Sequence, residues 1–288
     1  MVMRIKISTD STADIPVSLR EELNIEVLPL TILAGDKEFR DGYDITPEEF
    51  WPYLDTDDKL PTSAQVNPYL YTELFEKTWK EGYTDLIHTT LNSHASATWQ
   101  GCMNARTMFY EEHPEAKDAF NIHIIDSKTY SIVYGAGVIE AARMAKNGAS
   151  PAEIIAAVED WLAHARVLVI PMNLKCVRKS GRISGAAALI GDAMGIKPVI
   201  TFEGGDTKTV AKIRGVKKAA STLVDMCKKE KKPGTRYHIA YGCDKVEKAI
   251  FRDLCVRTLG EEPELEVNLG CIISINIGPD YLGILYRT

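Results

Sequence analysis

Asp85-Leu86-Ile87-His88-Thr89-Thr90, followed at once by Leu91-Asn92-Ser93-His94-Ala95-Ser96-Ala97-Thr98, is the stretch on which the reading of the fold turns. Its first six residues read as a strand, and a helical pattern from Ser96 to about His113 begins after one short polar turn. The next apolar segment, Ile122 to Asp126, reads as a buried strand and completes a strand–helix–strand unit.

The alternation extends upstream. Met3 to Thr9 reads as a strand ending in the polar turn Asp10-Ser11-Thr12-Ala13-Asp14, then a helix from about Pro16 to Leu23 and a strand from Ile25 to Thr31. Gly35-Asp36, between Thr31-Leu33 and Lys37-Phe39, suggests a short hairpin or an ordered loop. Helix starts are marked by their caps. Thr46-Pro47-Glu48-Glu49 and Ser150-Pro151-Ala152-Glu153 both have a hydroxyl at the N-cap, Pro at the first helical position and an acid three residues on. Asn67-Pro68 opens a helix ending near Gly82, and Ser131 to Asn147 is helical and closes at Gly148. Such repeated units predict a mostly parallel sheet with flanking helices.

Beyond about Arg166 the pattern changes. Val167 to Ile170 reads as a strand, Arg178-Lys179-Ser180-Gly181-Arg182 as a basic loop, and Gly185 to Met194 as a small-residue helix. Lys197 to Phe202 and Thr207 to Ile213, around Gly204-Gly205-Asp206, read as an antiparallel hairpin. Helices over Val216 to Glu230 and Asp244 to Leu259 enclose a strand at Tyr237 to Tyr241. Cys271 to Ile277 and Tyr281 to Tyr286 read as a closing hairpin joined by Gly278-Pro279-Asp280. The prediction is therefore an α/β chain. Residues 1–165 form an N-terminal domain with a mostly parallel sheet, and residues 166–288 a C-terminal α+β domain with an antiparallel sheet.

Composition narrows the function. A chain of 288 residues, 45% hydrophobic, can bury a substantial core, and a formal net charge of -6 argues against general nucleic-acid binding. Met1-Val2-Met3-Arg4-Ile5 runs straight into the first strand without the pattern of a signal peptide, and no apolar run approaches the ~20 residues of a membrane span. The expectation is a cytoplasmic protein that does not insert into membranes. Cys102, Cys176, Cys227, Cys243, Cys255 and Cys271 form no C-x-x-C pair and are expected reduced and mostly buried. The six histidines make no close ligand pair, and Gly181-Arg182-Ile183-Ser184-Gly185 is too short for a phosphate loop and lacks its Lys. Neither a metal nor a cofactor is expected.

Three polar segments can carry chemistry. Ser93 to Thr98 lies between the carboxyl end of a strand and a helix start, where ligands bind in open α/β sheets. Ser93 and Ser96 can meet an anion there or simply cap the helix. Pro61-Thr62-Ser63-Ala64 is a polar loop after the acidic run Asp55-Thr56-Asp57-Asp58. Asp10, after the first strand, stands where some phosphatases and phosphotransferases carry a nucleophilic Asp, and Ile190-Gly191-Asp192 echoes a later acidic motif. Thr12 replaces the second Asp that such enzymes usually have.

Taken in order, several segments resemble the DegV family of fatty-acid-binding proteins along essentially the full chain. They are Thr9 to Pro16, Val27-Leu28-Pro29-Leu30, Phe39-Arg40-Asp41-Gly42, Pro61-Thr62-Ser63, Asp126-Ser127-Lys128, Lys179 to Ser184, Ile196-Lys197-Pro198, and Gly278-Pro279 with Leu282-Gly283. The resemblance implies a non-enzymatic carrier that holds a long-chain fatty acid in a tunnel, its carboxylate gripped between the domains by hydroxyls. It also implies presentation of the acid to a fatty acid kinase, for phospholipid synthesis, or alternatively a lipid-sensing role without kinase coupling. By motif position Thr62 and Ser93 meet the carboxylate. Asn276 stands where the family often has a His two residues before Gly-Pro. Leu174, Leu189, Ile190, Val199 and Ile200 are candidate tunnel residues, each equally readable as ordinary core. Arg178, Lys179 and Arg182, and a second cluster of Lys208, Lys212, Arg214, Lys217 and Lys218, are candidate docking sites for an acidic partner or plain solvated faces. The chain departs from the family pattern at Ala64-Gln65-Val66 and at His94-Ala95-Ser96-Ala97.

Overall fold

A computed structural model of the chain describes residues 3–54, 60–172, 174–181 and 195–288. Its strands are β1 (Ile5–Asp10), β2 (Glu26–Leu28), β3 (Thr31–Ala34), β4 (Lys37–Arg40), β5 (Thr62–Ala64), β6 (Asp85–Thr90), β7 (Asn121–Asp126), β8 (Ala165–Pro171), β9 (Ile196–Glu203), β10 (Asp206–Arg214), β11 (Tyr237–Tyr241), β12 (Leu265–Asn268) and β13 (Tyr281–Arg287). They form a four-stranded sheet of order β2-β1-β6-β7, a six-stranded sheet of order β10-β9-β8-β13-β11-β12, and a small sheet of order β4-β3-β5. Two compact units result. One comprises Met1–Ile32, Glu38–Asp44 and Ser63–Ala163; the other comprises Leu33–Lys37, Ile45–Thr62 and His164–Thr288.

In the four-stranded sheet β1 pairs in parallel with β2 and β6, and β6 with β7, with Ile5 opposite Asp85 and Thr90 opposite Asp126. Every residue of β6 is buried, as a central parallel strand requires. The helices are α1 (Val17–Glu22), α2 (Pro47–Phe50, a part of the second unit), α3 (Pro68–Lys80), α4 (Thr98–Glu112), α5 (Ile132–Lys146) and α6 (Pro151–His164). In α3 the buried residues Tyr71, Leu74, Phe75 and Thr78 follow the helical repeat, as do Thr98, Cys102, Ala105 and Phe109 in α4, and the two helices pack together. Helix α5 lies against β1, and Gly135 is what lets it: a Cβ there would sit 2.2 Å from the backbone oxygen of Ala13.

The expected caps are present. Thr46 and Glu49 exchange both bonds of the capping box, Ser150 and Glu153 do the same at α6, and Asn67 accepts from Tyr69 N at 3.1 Å.

In the six-stranded sheet the pairs are antiparallel except β11 with β12. The β9–β10 hairpin turns through Gly204 and Gly205, both at positive φ (61° and 92°), the backbone a two-residue turn of this kind needs. One face of the sheet packs Leu168, Ile170, Val199, Ile239 and Ile284 against Leu223, Val224 and Phe251 of the helices Val216–Glu230 and Lys245–Leu259. Segments 33–37 and 45–62 join this unit although they come from the N-terminal part of the chain. Asn268 Nδ2 donates to Glu48 at 2.7 Å, and Lys37 Nζ donates to the Tyr53 hydroxyl at 3.1 Å.

Local structure differs from expectation in three places. Cys271–Ile277 is a helix, so no closing hairpin exists, and β13 pairs with β8 and β11 instead. The β-branched run is overridden by packing that buries Cys271, Ile272, Ser274, Ile275 and Ile277, while Ser274 and Asn276 bond back to Gly270 and Ile272 carbonyls at 3.0 and 2.8 Å. Arg178, Lys179 and Ser180 belong to helix α7 (Leu174–Ser180), not to a loop; the two basic residues sit in its last turn, where the helix dipole favours them. Thr62-Ser63-Ala64 is strand β5. The expected helix Gly185 to Met194 lies outside the described residues.

Candidate functional site

The order β2-β1-β6-β7 places a topological switch between β1 and β6, because the chain leaves β1 toward one edge and later returns to its other side. Crevices at such points, off the carboxyl ends of the strands, are where open α/β sheets bind ligands. Three polar residues mark these ends here: Asp10 on β1, Thr90 on β6 and Asp126 on β7.

Asp10 is wholly buried and fully engaged. Its Oδ1 accepts from Thr12 N at 3.1 Å, from the Thr12 hydroxyl and from the Tyr134 hydroxyl at 2.7 Å; its Oδ2 accepts from Leu91 N at 2.7 Å. Burial raises its carboxyl above the ordinary Asp range, against the opposing pull of the bonds from Thr12, Tyr134 and Leu91. With no exposed oxygen and both oxygens bonded, Asp10 is poorly placed to attack phosphorus. Its geometry is that of a clamp fixing the start of the Ser93 loop to β1. Nearby, His88 is also wholly buried, with Nδ1 2.8 Å from the Ser8 hydroxyl, and desolvation pushes its imidazole down to about 3.

The loop after β6 is held along its length. Asn92 is buried; its Nδ2 donates to the Tyr130 hydroxyl at 2.7 Å and its Oδ1 accepts from His94 N at 3.0 Å. Ser93 does not cap α4. Its amide donates to Asp126 Oδ1 at 3.1 Å and its hydroxyl to Asp126 Oδ2 at 2.6 Å, while Lys128 N also donates to Oδ1 at 3.1 Å. Ser96 Oγ accepts from Thr98 N at 3.2 Å just ahead of the helix, whose N-cap, Ala97, has no side-chain cap bond. Asp126 is the partner that the sequence did not announce; its only sign was an acid at a strand end before Ser127-Lys128.

The remaining site candidates lie in the second unit. Thr62 is exposed on β5, and Asn276 is half-buried on the helix Cys271–Ile277, with its Nδ2 turned to Ile272 O. Val199 and Ile200 are both wholly buried, but neighbours on a strand point to opposite faces, and Val199 belongs to the packed core. The two therefore cannot line one side of one channel. Leu174 is half-buried on α7. Leu189, Ile190 and Arg182 lie outside the described residues. Arg178 and Lys179 are exposed, as are Lys208, Lys212 and Arg214 on the edge strand β10 and Lys217 and Lys218 on the following helix.

Among the described residues, no group of three His, Cys, Asp or Glu side chains is placed to hold a metal, and no helix is long and apolar enough to cross a membrane. All six cysteines are free and five are buried.

The architecture has known counterparts. A DegV domain-containing protein of Caldanaerobacter subterraneus subsp. tengcongensis is 33% identical over 288 residues, 99% of each chain. A solved structure described as fatty acid binding of a DegV family protein from Thermus thermophilus superposes with a TM-score of 0.88 at 26% identity, covering 99% of this chain and 100% of that one. A stearic-acid-binding protein from Eubacterium ventriosum also reaches 0.88 at 26% identity, over 98% of each chain. The model of the family described as an uncharacterised protein, DegV family, matches residues 4–288, and the chain belongs to the DegV family.

Proposed function

We propose that this protein is a fatty-acid carrier: it binds one long-chain fatty acid through the carboxylate and presents it to a fatty acid kinase, without catalysing the transfer itself. The observation that carries the reading is full-length similarity, at 26% identity, to two solved proteins described as binding a fatty acid. The position of the Ser93 hydroxyl, on a loop clamped at the carboxyl end of the parallel sheet, supports it further. Thr62 and Ser93 supply hydroxyls to the head group, with Asn276 as a further polar contact. Hydrogen bonds to a charged group contribute about 1.5–3 kcal/mol each, and each buried CH₂ of the tail about 0.8 kcal/mol. The tail therefore supplies affinity and the hydroxyls supply orientation. Hydroxyls also leave the carboxylate outside an ion pair with Arg or Lys, so that it remains an acceptor for a phosphoryl group. The exposed Arg178 and Lys179 on α7 suit an acidic docking surface on the kinase.

Native mass spectrometry of the purified protein, followed by organic extraction, tests the binding. A co-purifying mass equal to that of an ordinary fatty acid is expected, and Ser93→Ala with Thr62→Ala should lower its retention. A lipid-free protein that also fails to take up added oleate overturns the reading. Addition of a fatty acid kinase and ATP to the loaded protein should yield acyl phosphate. Absence of product would leave a lipid binder and remove the kinase from the account.

A further inference from the structure

We infer that Asp126 is a positioning residue that tempers head-group binding, because it competes with the ligand carboxylate for the hydroxyl proton of Ser93. The inference rests on the reading that a fatty-acid carboxylate reaches Ser93. A hydroxyl has one proton to give, and Ser93 gives it to Asp126 Oδ2 at 2.6 Å. An ionised carboxylate only accepts, so the ligand needs that same proton. Ser93 can supply it only by turning the hydroxyl away from Asp126. The turn is about the Cβ–Oγ bond and moves no heavy atom. Both residues are half-buried, so water can take the place of the hydroxyl at Oδ2.

The other contacts of Asp126 hold whichever way the hydroxyl points. Its Oδ1 accepts from Ser93 N and from Lys128 N, each at 3.1 Å. These two bonds tie the loop after β6 to the end of β7, where the parallel register sets Thr90 opposite Asp126. One oxygen of the carboxylate thus builds the loop, and the other competes with the ligand. That division suits a carrier. Burial of a long tail supplies most of the affinity, and cargo held too tightly is not passed on. A competing acceptor at the head group shortens the stay of the ligand and leaves the loop in place.

Oleate affinity of the delipidated full-length protein, measured by calorimetry in the wild type, Asp126→Asn, Ser93→Ala and the double variant, tests the competition. Both backbone amides donate to Oδ1, so the asparagine must keep its oxygen there and set its NH₂ in the place of Oδ2. That NH₂ donates to the Ser93 oxygen and cannot accept, which leaves the Ser93 proton for the ligand. Asp126→Asn should therefore bind oleate about three- to tenfold more tightly, the factor of one ordinary hydrogen bond. Most of this gain should vanish in the Ser93→Ala background. A gain that survives there undiminished is relief of charge repulsion, and it overturns the inference. Unchanged or weaker binding in Asp126→Asn overturns it, and so does failure of that variant to fold, since both loop bonds should survive in it. Asp126→Ala removes the same charge but drops both loop bonds, so it should bind more weakly than Asp126→Asn, and equal affinities would overturn the positioning role. No oleate bound by the wild type overturns the carrier reading itself.

Discussion

The carboxyl end of the parallel sheet and the core of the antiparallel sheet are equally dry but are built in opposite ways. Around Asp10 the buried groups are Thr12, Tyr134, His88, Ser8 and Asn92, joined by directed hydrogen bonds. Around Phe251 they are Leu168, Leu223, Val224, Ile239 and Ile284, joined by contact alone. Apolar packing is non-directional and accepts any side chain of about the right volume. A buried polar network accepts very little, because every lost partner strands a desolvated group. The polar region therefore fixes the course of the loop it holds, and that loop is the one that carries Ser93.

Substitutions of matched size can break this contrast. Phe251→Ala is expected to have the largest effect, lowering the unfolding free energy by about 3–5 kcal/mol in denaturant titration, whereas Phe251→Leu should cost under about 1.5 kcal/mol. In the polar region the gentlest possible change, Tyr134→Phe, should cost about 1–3 kcal/mol, because it takes one donor from Asp10 and a partner from the Thr12 hydroxyl. If Tyr134→Phe were as mild as the usual surface substitution, the network would not be holding the loop.

The same contrast explains what could be read from the sequence. Local chemistry was legible: the caps at Thr46 and Ser150, the Gly204-Gly205 turn, and the alternation that gave a parallel sheet before an antiparallel one. Ser93 was legible as a candidate because it follows a strand and precedes a helix. Asp126 was not, since its bond to Ser93 spans 33 residues and only the parallel register of β6 and β7 brings the two together. Cys271–Ile277 was misread because Ile at four of seven positions carries strand propensity. Only burial against its neighbours, with Gly270 and Gly278 closing its ends, makes it a helix. Segment 45–62 could not be assigned to the second unit from its own residues either, since Asn268 lies 220 residues from Glu48.

A pH titration sharpens the comparison at a smaller energy. The buried His88 titrates near 6.5 when unfolded and at about 3 when folded. Below 6.5 the unfolded chain binds the extra proton, so the stability this group allows is complete above 6.5 and is lost as pH falls toward 3, by about 1.4 kcal/mol per unit. Asp10 acts in the opposite sense just above 3.8, where the folded chain keeps its proton longer than the unfolded one. The two are separated by comparing wild type with His88→Gln between pH 6 and 5. The wild type should lose stability more steeply, and coincident slopes would mean that water reaches the imidazole.

The smallest expected change in stability is at Thr62, and it is the one that separates holding the fold from holding the ligand. Thr62 is exposed on the short strand β5, and Val keeps both its shape and its strand preference, so Thr62→Val should move the unfolding free energy by no more than about 0.5 kcal/mol. A hydroxyl that meets a carboxylate contributes about 1.5–3 kcal/mol, so the same variant should bind oleate about ten- to a hundred-fold more weakly. Ser93→Ala should show the same weakening with a somewhat larger loss of stability, since it also strips one donor from Asp126. Oleate affinity that is unchanged in Thr62→Val would make Thr62 an ordinary surface residue and leave Ser93 as the sole hydroxyl at the head group.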